Sequence, residues 1–415
     1  MFIGDFGWFY LSARNALLDG SLPLVGIAAS YTWLHQGPYW TYILMILFWF
    51  FNFNPVVPAY FNAIVGTITI YIVYLLGKKM FSKEAGLLSA AFFAASPLVI
   101  AHSRMPYHTS PIPFFVSLWL LAFFLWWRGK TAYFPLVIFF LAVLYNFELA
   151  TQILWIVVLG FLFFSGYKSL SKKILVWSIV AWILPMLPIL VYDFQRGFKQ
   201  TVGFAKLLVI DKPFQITPLD VHATAIFWTT TLQRLVFLPS FSISVVIIVF
   251  CIGYFVYRSS KQNNYRFVCI IFLVLLFGLL SNPPSDAYIP MLFPFVALLF
   301  GVTFSDSAKR LHIPSASIVV VLSLFVYLNG MYLVKAKYFV ATSFHQRIAA
   351  AKEIITLSKN KSYVLLGKGK GSEHQSFIAN YEYLTWYFGK QPDISNYNQV
   401  IYLSEDTGVI SALRQ

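Results

Sequence analysis

Charge is scarce in this chain. Asp, Glu, Lys and Arg together make up only 11% of its residues, against roughly 25% in a soluble domain, which excludes a conventional soluble protein. Cysteine is nearly absent. Cys251 and Cys269 both fall inside apolar segments, so there is no disulfide framework and no metal-ligand spacing. No Rossmann fingerprint or P-loop occurs, and nucleotide chemistry has no cradle. The GKGKG stretch around Lys368 lacks P-loop spacing and reads as a surface turn. Met1 leads straight into a polar loop, so no cleavable signal peptide is expected. No internal repeat is visible.

What is present is hydrocarbon-soluble. The chain is 59% hydrophobic and 19% aromatic, with a mean hydropathy of +0.72. Many aromatics cluster near the ends of apolar runs, where Trp and Tyr suit the headgroup layer. The 415 residues allow about ten spans plus a modest soluble part. The net charge of +15 lies mostly in short loops, where Lys and Arg set topology, so nucleic acid is not an expected partner.

The apolar runs alternate consistently. YWTYILMILFWFF is about thirteen residues, too short for roughly 30 Å of hydrocarbon, and reads as an interfacial helix. The next run ends at Lys78, Lys79 and Lys83, inside. AGLLSAAFFAASPLVIAH returns outward to Arg104, and a Pro-led run goes in to Arg128 and Lys130. Asn146 and Glu148 interrupt the stretch from Tyr133 to Gly166, which reads as two short spans meeting outside. Later runs place Lys172, Lys173, Arg258, Lys261, Arg266, Lys309 and Arg310 inside. The expected architecture is an all-α polytopic bundle over 1–334. A small extracytoplasmic α/β appendage follows over 335–415, with a helix at AAAKEIITL and strands at SYVLLG and QVIYLS.

Ionisable groups at span ends on one face are the functional candidates in such a chain. The outer set is Asp5, Arg14, His35, His102, Arg104, His108, Glu148, Asp193, Arg196 and Asp286. Two His without a nearby acid or Cys make a weak metal signal. Glu148 sits where a carboxylate is costly and needs a partner. Asp193 and Arg196 stand three apart, the spacing of a local ion pair; alternatively, the planar fork of Arg196 suits a lipid phosphate.

The opening loop resembles the protein O-mannosyltransferase and aminoarabinose transferase clan of GT-C glycosyltransferases, which use polyprenyl-phosphate sugars. Asp5, Ala13, Arg14 and Gly20 match its D-E-x-x-Y-x-x-x-A-R pattern and the following Gly. Gln36, Gly37, Pro38, Tyr39 and Trp40 match its turn before a short aromatic helix. YLLGKKMF and AGLLSAAFFAASPLV match its next two spans, and Tyr288, Met291 and Pro294 its late Y-x-x-P-x-x-P. The match is good over about the first 130 residues and mainly in layout beyond. Phe6 and Thr109 stand where the clan carries further acids, Phe9 where it carries Tyr, and Gln36 where it carries Lys. The clan also has a span ahead of its first acid; none stands ahead of Asp5 in this sequence, so the chain is expected to be truncated or to start at an internal Met.

The resemblance implies a ten-helix GT-C bundle with interfacial helices in the first outer loop. It implies a multi-pass plasma-membrane enzyme whose active site faces the extracytoplasmic side. It implies inverting transfer of a sugar from a polyprenyl-phosphate donor to a hydroxyl of a protein, glycolipid or cell-wall glycan. Asp5 would be the catalytic base. Arg14, Arg104, Arg196, His35, Gln36 and Tyr288 would serve the donor and its phosphate, with Arg14 orienting Asp5. His108, Glu148 and Asp193 would support them, and Trp33, Tyr39, Trp40 and Tyr107 could stack on sugars. With Phe6 and Thr109 in acid positions, no metal and no other cofactor are expected. The alternatives are a lipid-linked glycan polymerase or ligase, and a transporter or flippase. The first usually carries its basic residues in a large late outer loop. The second wants charges at mid-membrane and paired broken helices.

Overall fold

The helices begin and end where the sequence gives them reason to. The computed structural model describes residues 3–28, 33–164, 170–209, 221–236, 241–278, 286–335, 342–369, 371–374, 376–393, 395–406 and 409–414. Helix α1 (Gly4–Leu18) carries Asp5 in its first turn, where a carboxylate meets the positive end of the helix dipole. The loop that follows folds back on itself, with Gly26 N–H donating to the Gln36 carbonyl and Gln36 N–H to that of Ile27. Helix α2 (Tyr39–Phe50) has 12 residues, which at about 1.5 Å each is too short to span. Helix α3 (Val57–Met80) starts with Pro58 in its first turn and ends in Lys78 and Lys79.

Ser82 caps α4 (Lys83–Ala95), accepting from Ala85 N–H at 3.1 Å. Pro97 then breaks the run. A residue before proline is pushed out of the helical region, and Ser96 sits at φ −66°, ψ 122°. Helix α5 (Pro97–Ser103) therefore leaves α4 at 66°. The bundle continues with α6 (Ile112–Trp127), α7 (Phe134–Phe147), α8 (Ile153–Phe164), α9 (Lys172–Gln195), α10 (Lys199–Val209), α11 (Val221–Leu235), α12 (Phe241–Ser259), α13 (Asn263–Gly278), α14 (Phe293–Arg310) and α15 (Ser315–Lys335). Pro185 and Pro188 lie inside α9. Asn146 ties α7 to it, its Nδ2 donating to the carbonyls of Ala142 at 2.9 Å and Pro185 at 3.1 Å.

Among the described residues four helices are long and apolar enough to cross a membrane: Val57–Met80, Lys172–Gln195, Asp286–Arg310 and Ala316–Val334. A fifth appears if α4 and α5 form one bent span. The expected ten spans are not confirmed among the described residues, where the other apolar helices offer stretches of 10–17 residues. Their runs are cut short by residues that cannot extend them, such as Glu148 between α7 and α8. The basic helix ends gather at one side of the bundle. Lys309 of α14 pairs with Glu84 of α4 at 2.9 Å, and Arg258 of α12 lies 3.7 Å from Asp306 of α14. Asn264 of α13 donates to the Met80 carbonyl at the end of α3.

The C-terminal part holds α16 (Phe344–Leu357), β1 (Val364–Lys368), α17 (Ala379–Tyr387), β2 (Val400–Asp406) and β3 (Val409–Arg414). The sheet order is β1-β2-β3, with β1 parallel to β2 and β2 antiparallel to β3. Ile354, Tyr363, Leu365, Tyr381, Ile401 and Leu403 form its own core. Helix α17 also belongs to the main core. Tyr383 packs on Tyr10 with ring centroids 5.0 Å apart and donates its hydroxyl to the Phe53 carbonyl at 2.6 Å. Helix α17 thus packs on both cores.

Candidate active site

The turn between α5 and α6 carries Tyr107, His108 and Thr109, and polar groups from three other segments meet it. Glu148 ends α7 and caps the 3-10 turn Leu149–Gln152 by accepting from Ala150 N–H at 3.3 Å. Its Oε2 lies 3.3 Å from Nε2 of His108, and both side chains are buried. The Gln36 amide reaches the same His108 nitrogen at 3.3 Å. Among the described residues, Nδ1 of His108 is buried without a hydrogen-bond partner. Gly37 allows this meeting, since a Cβ there would stand 2.1 Å from Asn146 Oδ1 and 2.6 Å from its Cα.

Asp5 precedes Phe6, whose ring packs on Tyr107 at 4.9 Å. Its Oδ1 accepts from the Ser376 hydroxyl at 2.6 Å. Burial first, then the charges of Asp5 and Glu148, push the Tyr107 phenol above its usual range. The Tyr107 ring packs on Phe6 at 4.9 Å and on His108 at 4.1 Å. Tyr288 lies in the short 3-10 helix Asp286–Leu292, within the field of Glu148.

A second polar group joins the first loop to α9 and α10. Gln200 is buried and holds His35 by its backbone, accepting from His35 N–H and donating to its carbonyl, each at 3.2 Å. The His35 ring packs edge-on against Tyr192 at 5.3 Å, and the exposed Arg196 guanidinium lies over the same Tyr192 ring at 4.3 Å. Burial first, and the Arg196 charge besides, hold the His35 pKa below its ordinary value, so His35 is neutral at pH 7. Arg104 caps the end of α5 and is exposed.

The remaining candidates are placed differently from the expectation. Arg14 does not orient Asp5. It sits about 13 Å further along α1, donating to Asn15 Oδ1 at 2.9 and 2.6 Å and stacking on Trp386 at 4.8 Å. It is buried there. Asp193 and Arg196 do not pair either. Asp193 accepts from the backbone N–H groups of Gln200 at 2.8 Å and Thr201 at 3.0 Å, which start α10. Trp40 is fully buried and has no face for a sugar. Thr109 hydrogen-bonds His102 at 3.1 Å. Among the described residues no three His, Cys, Asp or Glu side chains converge.

Two contributors escape a reading by local pattern, Ser376 and Gln200. For Ser376 a signal existed. Gly4 and Gly7 share one face of α1, and small residues at that spacing invite another backbone to approach. ANYEYLTWY, the sequence of α17, is also too aromatic for an exposed helix. Gln200 carries no comparable signal.

Residues 35–192 match the family described as dolichyl-phosphate-mannose-protein mannosyltransferase. Gln36, His108 and Glu148 lie within that match; Asp5 lies ahead of it. Among curated proteins none matches the chain. Several solved structures share its fold. ArnT from Cupriavidus metallidurans bound to undecaprenyl phosphate is 10% identical with a TM-score of 0.61, covering 96% of this chain and 88% of ArnT. The Archaeoglobus fulgidus oligosaccharyltransferase with Zn and sulfate is 14% identical with a TM-score of 0.62, covering 94% of this chain and 58% of the enzyme. The same organism's AglB with an inhibitory peptide and dolichol-phosphate gives 14%, 0.55, 95% and 56%. The chain thus spans a little over half the length of these oligosaccharyltransferases. Over residues 35–192 it carries the pattern of the dolichyl-phosphate-mannose-protein mannosyltransferase family, and over nearly its whole length it has the fold of the GT-C glycosyltransferases ArnT and AglB.

Proposed function

We propose that the chain is an inverting glycosyltransferase of the membrane. It moves a sugar from a polyprenyl-phosphate donor to an acceptor hydroxyl of a protein, glycolipid or cell-wall glycan at the outer face. One observation carries this reading. The family match over 35–192 encloses the buried His108–Glu148 pair and Gln36, with Asp5 and Tyr107 beside them.

Such a donor already has an activated anomeric carbon. Asp5 takes the proton of the acceptor hydroxyl as its oxygen attacks that carbon. The bond to the phosphate oxygen breaks on the opposite side, inverting the centre, and polyprenyl phosphate leaves. Its charge needs cations positioned in advance. Arg196, held over Tyr192, and the exposed Arg104 supply them. Neutral His35 and Gln36 offer hydrogen bonds to the bound donor, and Tyr288 closes the wall near Glu148. The His108–Glu148 pair keeps the turn that bears Tyr107 in place. Asp193 acts at a distance, by fixing the start of α10 and so Gln200 and His35.

The reading is tested by supplying the purified chain with radiolabelled polyprenyl-phosphate monosaccharides and following sugar release or transfer. Turnover of one donor supports it, and no turnover across the panel in lipid vesicles overturns it. Arg196→Ala is expected to raise the donor KM roughly ten- to hundred-fold, the equivalent of about 1.5–3 kcal/mol for a charged hydrogen bond. Arg14→Ala is expected to leave that KM unchanged and to lower the thermal midpoint, since it removes packing on Trp386. Equal effects of the two on KM would contradict this assignment. Metal independence is a separate expectation: turnover survives a chelator. Loss of turnover that a divalent ion restores would sink it.

A further inference from the structure

We propose that Ser376 is the positioning residue for Asp5, so that the two ends of the chain build the catalytic base together. The proposal rests on the reading of Asp5 as base. The Ser376 hydroxyl donates to Oδ1 of Asp5 at 2.6 Å. A close approach of the two backbones brings these side chains together. A Cβ on Gly4 would stand 2.0 Å from the Ser376 carbonyl oxygen, and one on Gly7 2.1 Å from the Asn380 nitrogen. Two glycines one turn apart therefore let α1 and the segment leading into α17 touch main chain to main chain beside Asp5.

The other end of α17 is anchored independently. Tyr383 donates to the Phe53 carbonyl at 2.6 Å, Trp386 packs on Phe53 at 5.1 Å, and Arg14 stacks on Trp386. Ser376 is thus delivered to Asp5 by a rigid mount. The benefit is orientational. A half-buried Asp in a first turn samples several rotamers. A donor fixed on Oδ1 selects one of them and leaves Oδ2 free to receive the acceptor's proton. A base misplaced by about 1 Å can lose on the order of a hundred-fold in rate.

The test uses the full chain in lipid vesicles with radiolabelled undecaprenyl-phosphate mannose, or whichever sugar of the panel turns over. It compares wild type, Ser376→Ala, Ser376→Thr and Asp5→Asn. Ser376→Ala is expected to lower kcat roughly ten- to hundred-fold with the donor KM and thermal midpoint unchanged. Ser376→Thr, which keeps the hydroxyl, is expected to restore most of kcat. If Asp5→Asn is inactive while Ser376→Ala turns over like wild type, the positioning role is wrong and the base stands. A loss of kcat in both Ser376 variants, in step with a fall in thermal midpoint, marks a structural role and also overturns the proposal. Undiminished turnover by Asp5→Asn removes the base itself, and this inference with it.

Discussion

Replacing Asp5 by Asn is expected to lower transfer by roughly 10²–10⁴, the range that a positioned general base supplies. The donor KM and the thermal midpoint should stay as in wild type. Asn is close to isosteric with Asp, and its amide oxygen can still accept the Ser376 hydroxyl now donated to Oδ1. The helix position is therefore kept while the ability to take a proton is lost. Steady-state kinetics beside a thermal melt separate the two. A variant within about two-fold of wild-type kcat/KM would move the base elsewhere. The buried His108–Glu148 pair, with Nδ1 of His108 lacking a partner among the described residues, would be the first place to look.

Gly7→Ala carries the second large effect, and its sign is diagnostic. Alanine inside an ordinary exposed helix gains up to about 1 kcal/mol over glycine. Here the added Cβ would meet Asn380 N at 2.1 Å, Asn380 Cα at 2.3 Å and Ala379 C at 2.4 Å. These are backbone atoms of the facing segment and have no rotamer to retreat into. Overpacking of this kind costs about 1–3 kcal/mol, and it separates α17 from α1. Ser376 would leave Asp5, and Tyr383 would lose the Phe53 carbonyl. Both stability and turnover should fall. Gly160→Ala in α8 is the control, since nothing lies within 4 Å of its Cβ position. Thermal unfolding of the two variants in one detergent decides the point. A Gly7→Ala protein as stable as Gly160→Ala would mean that α1 and α17 are not in backbone contact.

Much of the local structure was legible because it is set by near neighbours in sequence. Asn146 and Glu148 divide α7 from α8, and the segments SYVLLG and QVIYLS contain strands, whereas AGLLSAAFFAASPLVIAH reads as one run and is bent at Ser96 before Pro97. The number of spans was less legible. Composition marks a run as apolar, while helix length depends on where caps and prolines fall.

The site shows the same division. Spacing along a helix tells which side chains share a face, and not what lies across from them. Asp193 and Arg196 do share a face, yet Gly197 at φ +66° and Phe198 at φ +59° turn the chain back. The N–H groups of α10 then reach the Asp193 carboxylate before Arg196 can. Arg14 and Asp5 fit a motif spacing, but about nine residues of helix put them on opposite sides, and a tryptophan far away in sequence takes Arg14. The Gln36–His108–Glu148 meeting joins three separate segments, which no local pattern encodes.

The central claim is that Asp5 acts on a polyprenyl-phosphate sugar. The most direct measurement is single-turnover release of polyprenyl phosphate from the labelled donor panel by wild type and Asp5→Asn, side by side in vesicles. The account predicts release from one donor by wild type, with inversion at the anomeric carbon of the product, and none above background by the variant. Equal release by both proteins, or a product of retained configuration, would contradict it.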